Sequence, residues 1–262
     1  YMEERMKYTH AMKNKGFKAN SRGRFIQQPF TTLEERFKCL PVGVGFNIEM
    51  KYPMLHETKE FGVDAYAVEL DSFCDTVLRK VYDYSSQADG KDGKGKRDIV
   101  FSSFNPDVCL TMSFKQPTYP TLFPTDAGSE EVGDIRASSL QEAIRFANRW
   151  NLLGIVSAAE PFVLAPRLVK AVKGRGLVCV SYGVQNNDPE CVGMQVKEGI
   201  DAVIVDSVLA IRKGLQRQEA ETSEQANGTG EDTTKVEARR GDGHLKVPGE
   251  VVMGNEHGVR VL

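Results

Sequence analysis

Glu49 and Lys51 stand two residues apart in the run Phe46-Asn47-Ile48-Glu49-Met50-Lys51-Tyr52-Pro53. In a β-strand that spacing places both side chains, with Asn47, on one face and Ile48 and Met50 on the other. A carboxylate there is an oxygen ligand suited to a hard divalent cation, and a lysine beside it can offset charge developing on a phosphoryl group. A solvated Glu–Lys pair on an edge strand has the same local pattern, so the run by itself leaves both readings open. Further polar residues follow short apolar runs: Ser103 and Asn105, Thr125 and Asp126, Ser157 and Glu160, and Asp206. Phe104 and Tyr182 occupy equivalent places and are candidates for the walls of a substrate pocket. None of these places holds a histidine, the side chain most used for proton transfer near neutral pH. His10, His56, His244 and His257 are isolated and read as solvated or structural. No cysteine has an accompanying histidine, which argues against a Cys–His nucleophile.

These residues must be held by the elements around them. Residues 1–30 are basic and irregular, with a helical stretch from Glu3 to Lys13 broken by glycines. Thr32-Leu33-Glu34-Glu35 is a capping box, in which the threonine side chain caps the first amides and the glutamate three residues on reaches back. It opens a helix to Cys39. From Val44 onward, short apolar strands alternate with amphipathic helices. Strands are predicted at Val44–Lys51, Ile99–Phe104, Tyr119–Phe123, Leu153–Ser157, Leu177–Ser181 and Ala202–Val205. Helices are predicted at Ala65–Tyr84, after Asn105, from Ser139 to Trp150, and at Pro166–Lys173, Pro189–Glu198 and Val208–Leu215. Asn105-Pro106 is a cap followed by proline at the first helical position, Ser139-Leu140-Gln141-Glu142 a second capping box, and Gly199 a left-handed stop. The run from Gln87 to Arg97 is a polar loop that fits neither phosphate-binding glycine motif. Six such units predict a parallel sheet wrapped in helices. A doubly wound sheet and three quarters of an eight-stranded barrel both accommodate them. The helix at Thr32–Cys39 has no strand before it, which favours a barrel lacking its first two units.

Composition bounds the rest. A net charge of -2 shows no excess of Lys and Arg, so no nucleic-acid footprint is expected. No apolar run approaches the roughly 18 residues that span a bilayer. Cys39, Cys74, Cys109, Cys179 and Cys191 are well separated and mostly within apolar segments, the pattern of a reduced compartment and an expected cytoplasmic location. The chain opens on Tyr1 inside a helical stretch, without a signal peptide, and is expected to be a fragment. Residues 216–262 are rich in Glu, Gln, Thr and Gly and are expected to form a disordered polar tail beyond a domain at 1–215.

Taken in order, four stretches resemble the glycerophosphodiester phosphodiesterase family, nearest to its fungal glycerophosphocholine-hydrolysing kind. GFNIEMKYP at 45–53 is similar to the family's Glu-x-Lys strand, and PFTTLEERFKCLP at 29–41 to the helix before it. IVFSSFNPD at 99–107 is similar to its Ser-Phe strand, and GIDAVIVDSV at 199–208 to its closing strand and Asp. The resemblance covers residues 1–215. It implies an α/β fold, a TIM-type (β/α)8 barrel here truncated at its N-terminus to about six strand–helix units. It also implies hydrolysis of small glycerophosphodiesters to glycerol phosphate and an alcohol, with magnesium or calcium as the divalent metal. By that resemblance Glu49 is a metal ligand and Lys51 the catalytic lysine beside the phosphate. Tyr182 falls where many members carry a pocket tryptophan.

The family's His-Arg-Gly opening, its Glu-x-Asp metal pair and its second catalytic histidine precede the helix at Thr32, and this sequence contains none of them. The upstream part of the same barrel is therefore the expected partner, and this chain alone is expected to be nearly inactive. Open strand edges would make it prone to aggregate. Two other readings stand beside it. One is a non-catalytic module of phosphate signalling, and the other a doubly wound domain binding a small phosphate compound.

Overall fold

The computed structural model describes residues 31–60, 62, 66–85, 97–227 and 260–261. Two compact units are present, one from Tyr1–Gly45 and Pro53–Arg97, the other from Phe46–Tyr52 and Asp98–Leu262. The expected helix at Glu3–Lys13 and the polar loop after Gln87, up to residue 96, lie outside the described residues.

In the first unit, α1 (Leu33–Cys39) begins as its sequence predicts. The Glu35 amide donates to Thr32 Oγ1 at 3.2 Å, and the Thr32 amide donates to Glu35 Oε2 at 2.6 Å. A short helix, α2 (Leu55–Glu60), was not expected. The long helix α3 (Leu70–Ser85) starts five residues later than its periodicity suggests. The cause is Glu69, whose carboxylate accepts from the amides of Asp71 and Ser72 at 2.9 and 2.7 Å and so fixes the first turn. Cys74, Leu78 and Val81 are its buried stripe. Phe37 of α1 stacks on Tyr84 of α3 with ring centres 5.7 Å apart.

Glu34 ties the same two helices together by polar contacts. It accepts from Lys38 Nζ at 2.7 Å, from Lys80 Nζ at 3.1 Å and from the Tyr84 hydroxyl. The hydrogen bond from Lys38, followed by those from Tyr84 and Lys80, lowers its pKa from 4.5 to about 2. A depressed carboxylate contributes stability above its unfolded value and loses it as pH falls through its folded value. Glu34→Gln should therefore flatten the acid limb of unfolding between pH 4.5 and about 2. An acid titration followed by circular dichroism checks this, and an unaltered limb would refute it.

The second unit is built on a parallel sheet whose strands run β1 (Phe46–Glu49), β2 (Ile99–Ser102), β3 (Thr121–Thr125), β4 (Gly154–Ala158), β5 (Val178–Tyr182), β6 (Ala202–Val203) and β7 (Arg260–Val261). Spatial order equals chain order throughout, and every neighbouring pair is parallel. A doubly wound sheet must reverse its order at a switch point, whereas a barrel adds strands in sequence. The strand order therefore decides for the barrel class and against the doubly wound alternative.

Helices α4 (Pro106–Lys115), α5 (Leu140–Arg149), α6 (Ala159–Leu164), α7 (Leu168–Lys173), α8 (Pro189–Lys197) and α9 (Val208–Asn227) join the strands. The Asn105 side chain accepts from the Asp107 and Val108 amides, as the Asn-Pro signal predicts. Gly199 adopts φ 88°, a left-handed backbone that glycine tolerates best. The second capping box is half made. The Glu142 amide donates to Ser139 Oγ at 3.2 Å, but the Glu142 carboxylate takes Arg145 at 2.5 Å, a cation one turn along. Helix α6 was not expected, and α7 begins two residues inside the predicted span.

Side-chain alternation gives the sheet two distinct faces. Phe123, Ile155, Cys179 and Val203 pack with Phe146, Val169, Val172 and Val192 from the helices. Leu122, Val156, Val180 and Ala202 form a separate cluster on the opposite face. Cys74, Cys109 and Cys179 are buried, as expected for apolar positions.

The last helix runs past its predicted end at Leu215. Helix α9 continues through residues 216–227, which carry almost no large apolar side chain. Scarcity of apolar residues argues against a packed core, not against a helix. Gln, Glu, Arg and Ala extend readily from a turn already anchored by buried Ile211 and Leu215. Arg260–Val261 then pairs in parallel with β6. His244 and His257 lie outside the described residues, as does His10.

Candidate active site

Parallel strands bring their carboxyl ends to one rim, and that rim is where a β/α barrel keeps its chemistry. Glu49 is the last residue of β1 and lies opposite Ser102 of β2. Hydrogen bonds hold this corner. Ser102 Oγ donates to Asn47 Oδ1 at 2.9 Å, the Met50 amide donates to the Ser102 carbonyl at 2.7 Å, and Ser103 Oγ donates to the Met50 carbonyl at 2.6 Å. Lys51 Nζ donates to Glu49 Oε1 at 2.6 Å. The lysine side chain is 79% exposed and the glutamate 36%. A pair so open to water contributes only about 0–1 kcal/mol to stability, so the burial of Met50 and the backbone ladder, not the pair, hold β1.

Tyr182 ends β5, and its hydroxyl donates to Asp126, the residue after β3. The Phe104 ring meets the Tyr182 ring edge to face, with centres 5.7 Å apart at 88°. The two proposed pocket walls are therefore in contact. Each is set by its local backbone. Ala127 turns left-handed at φ 56°, its amide donating to Thr125 Oγ1 at 3.0 Å, and Gly183 does so at φ 115°. Behind β5, the fully buried side chains of Ser181, Asn186 and Gln195 satisfy one another. Ser181 Oγ donates to Gln195 Oε1 at 2.6 Å, and Gln195 Nε2 to Asn186 Oδ1 at 2.9 Å. Asn186 Nδ2 also donates to the Ile204 carbonyl at 3.1 Å, which ties the loop after β5 to the end of β6.

Burial, then the hydrogen bond to Asp126, pushes the Tyr182 hydroxyl well above its ordinary pKa. The charges of Asp126, Glu130 and Glu49 act in the same direction. Tyr182 is therefore a neutral phenol that donates to Asp126. Asp126 was legible only as a polar residue after a strand. Its bond to Tyr182, 56 residues away, gave no signal in the sequence.

The remaining strand-end residues bond within the fold or lie at its surface. Thr125 Oγ1 donates to the Ala137 carbonyl at 3.2 Å, and Ser157 Oγ to the Ala158 carbonyl at 2.9 Å. Asn105 caps α4, Glu160 is exposed at the start of α6, and Asp206 pairs reciprocally with Asn187. Burial pushes the Cys179 thiol up to about 12, so it is not a nucleophile. No described residue of the second unit is a histidine, and His56 lies on α2 of the first.

A hard divalent cation needs several converging oxygen ligands. Glu49 offers one carboxylate of the right hardness, but among the described residues no three His, Cys, Asp or Glu side chains converge to hold an ion. The described residues do not complete a metal site. Among them, no helix is long and apolar enough to cross a membrane.

A sequentially ordered parallel β/α sheet with charged and aromatic side chains on its carboxyl rim is a barrel-class domain. The chain belongs to the glycerophosphoryl diester phosphodiesterase family, whose model matches residues 3–210. It is 57% identical to the glycerophosphocholine phosphodiesterase of Eremothecium gossypii over 221 residues, 84% of this chain and 16% of that protein. The corresponding protein of Candida albicans is 53% identical over 82% of this chain and 18% of its own length. That of Schizosaccharomyces pombe is 47% identical over 79% of this chain and 17% of its own length. The chain thus spans 16–18% of the length of these fungal relatives. A crystal structure of a Silicibacter pomeroyi protein named for the same family superposes with a TM-score of 0.52 at 17% identity. It covers 76% of this chain and 63% of that one, and supports the fold alone.

Proposed function

We propose that the rim carrying Glu49, Lys51, Phe104 and Tyr182 serves a phosphodiesterase that hydrolyses glycerophosphodiesters to glycerol phosphate and an alcohol. The observation that carries this reading is the Glu49–Lys51 pair at the carboxyl end of β1, in a chain 47–57% identical to proteins named glycerophosphocholine phosphodiesterases. Lys51, solvent-facing beside Glu49, would meet a phosphoryl oxygen and offset its charge. Glu49 would serve as one ligand of a magnesium or calcium ion, whose chemistry when bound is to polarise the phosphoryl group. Phe104 and Tyr182 wall the alcohol side. The remaining ligands and the proton-transfer groups come from outside the described residues. The setting is glycerophospholipid turnover in the cytoplasm.

Hydrolysis of glycerophosphocholine, assayed with magnesium and calcium in turn, tests this on the 262-residue chain and on the full-length polypeptide that carries it. Release of glycerol phosphate is expected from the full-length form and little from the chain alone. Silence of the full-length form would overturn the reading in favour of a non-catalytic phosphate-signalling module. The absence of histidine among the described residues of the second unit is what keeps that alternative in view.

A further inference from the structure

Asp126 accepts the Tyr182 hydroxyl, Glu130 follows on the same loop, and no ion pair to either carboxylate is present among the described residues. The nearby Glu49 has its own cation in Lys51. The loop from β3 therefore places a carboxylate against an aromatic corner. That corner is rigid. Phe104 braces the Tyr182 ring edge-on at 5.7 Å, and Asp126 holds the phenol at its far end. With its hydroxyl committed to Asp126, Tyr182 offers the rest of the site its ring, not a free donor.

An electron-rich ring beside a carboxylate attracts an organic cation and repels an anion. We infer that Asp126, through its bond to Tyr182 and its own charge, selects diesters whose alcohol carries a fixed positive charge. This rests on the proposed hydrolysis and adds a specificity-determining residue to it. Asp126 is a positioning residue with no bond to make or break. Its charge favours the cationic headgroup, and its hydrogen bond keeps the ring where that headgroup docks. Tyr182 remains neutral throughout, so the wall does not change charge across the physiological range.

The test compares kcat/KM of the full-length polypeptide for glycerophosphocholine with that for glycerophosphoinositol, whose headgroup is uncharged. Asp126→Asn keeps the size and an acceptor for the phenol but removes the charge. It should lower the choline-to-inositol ratio on the order of tenfold, the size of one lost cation contact, through KM for the choline ester. Tyr182→Phe keeps the ring and the carboxylate and should change the ratio by less than Asp126→Asn does. Equal loss on both esters would show that Asp126 only supports the fold and would overturn the inference, as would an unchanged ratio. Should Asp126→Asn fail to fold, the exposed Glu130→Gln should shift the ratio in the same direction by a smaller factor, and no shift there overturns the inference. A wild-type protein that hydrolyses neither ester overturns the functional reading itself, and the inference with it. Hydrolysis of both with no effect of either variant overturns the inference alone.

Discussion

Glu49→Gln is expected to lower glycerophosphodiester hydrolysis by the full-length polypeptide at least about a hundredfold, the scale of losing one charged group aimed at the reacting centre. The change preserves shape and a hydrogen-bond acceptor for Lys51. It removes the negative charge that the proposed metal ligand would supply. Stability should barely move, because the Glu49–Lys51 pair is largely solvated and worth only about 0–1 kcal/mol. The combination separates a site residue from a structural one. A variant with full activity would show that the pair is an ordinary surface ion pair on the edge of the described sheet. Weakened unfolding with activity lost in proportion would assign Glu49 to folding. Initial rates with magnesium and calcium, alongside a urea melt, read both quantities.

Gly154→Ala should produce the largest loss of stability. A Cβ at Gly154 would lie 2.0 Å from the Val178 carbonyl oxygen and 2.7 Å from its carbonyl carbon. These are backbone atoms of the paired strand, with Gly154 and Val178 in register, so no side chain can swing aside. Strands β4 and β5 would have to separate at the centre of the second unit. The expected cost is about 3 kcal/mol, the upper part of the range for overpacking, read as a lower urea midpoint. Gly43→Ala is the control. Its Cβ meets nothing within 4 Å, so stability should stay within about 0.5 kcal/mol of the parent. A Gly154→Ala protein as stable as the parent would mean that the β4–β5 register is looser than described.

Some of this architecture is written in short stretches of sequence. The Thr32–Glu35 box, the Asn105-Pro106 helix start and the Gly199 stop each depend on atoms within four residues, and each forms as read. The alternation of β-strands and helices is legible for the same reason, since a period of two or 3.6 is fixed by backbone geometry alone. Even here, local rules were overruled where a stronger partner lay nearby. Glu142 left its capping box for Arg145, and Glu69 moved the start of α3.

The sequence by itself determined the six predicted strand–helix units, the capped helix ends and the Glu49–Lys51 face. A sequential parallel order cannot be inferred from strands alone, because doubly wound and barrel sheets share the same alternation. Only the pairing of each strand with its successors on both sides decided between them. The pocket corner was decided in the same way. Tyr182 and Asp126 meet across 56 residues of chain, and Phe104 reaches Tyr182 across the sheet rim. Contacts at such separation depend on strand register, and a shift of one residue would turn Tyr182 to the opposite face of the sheet.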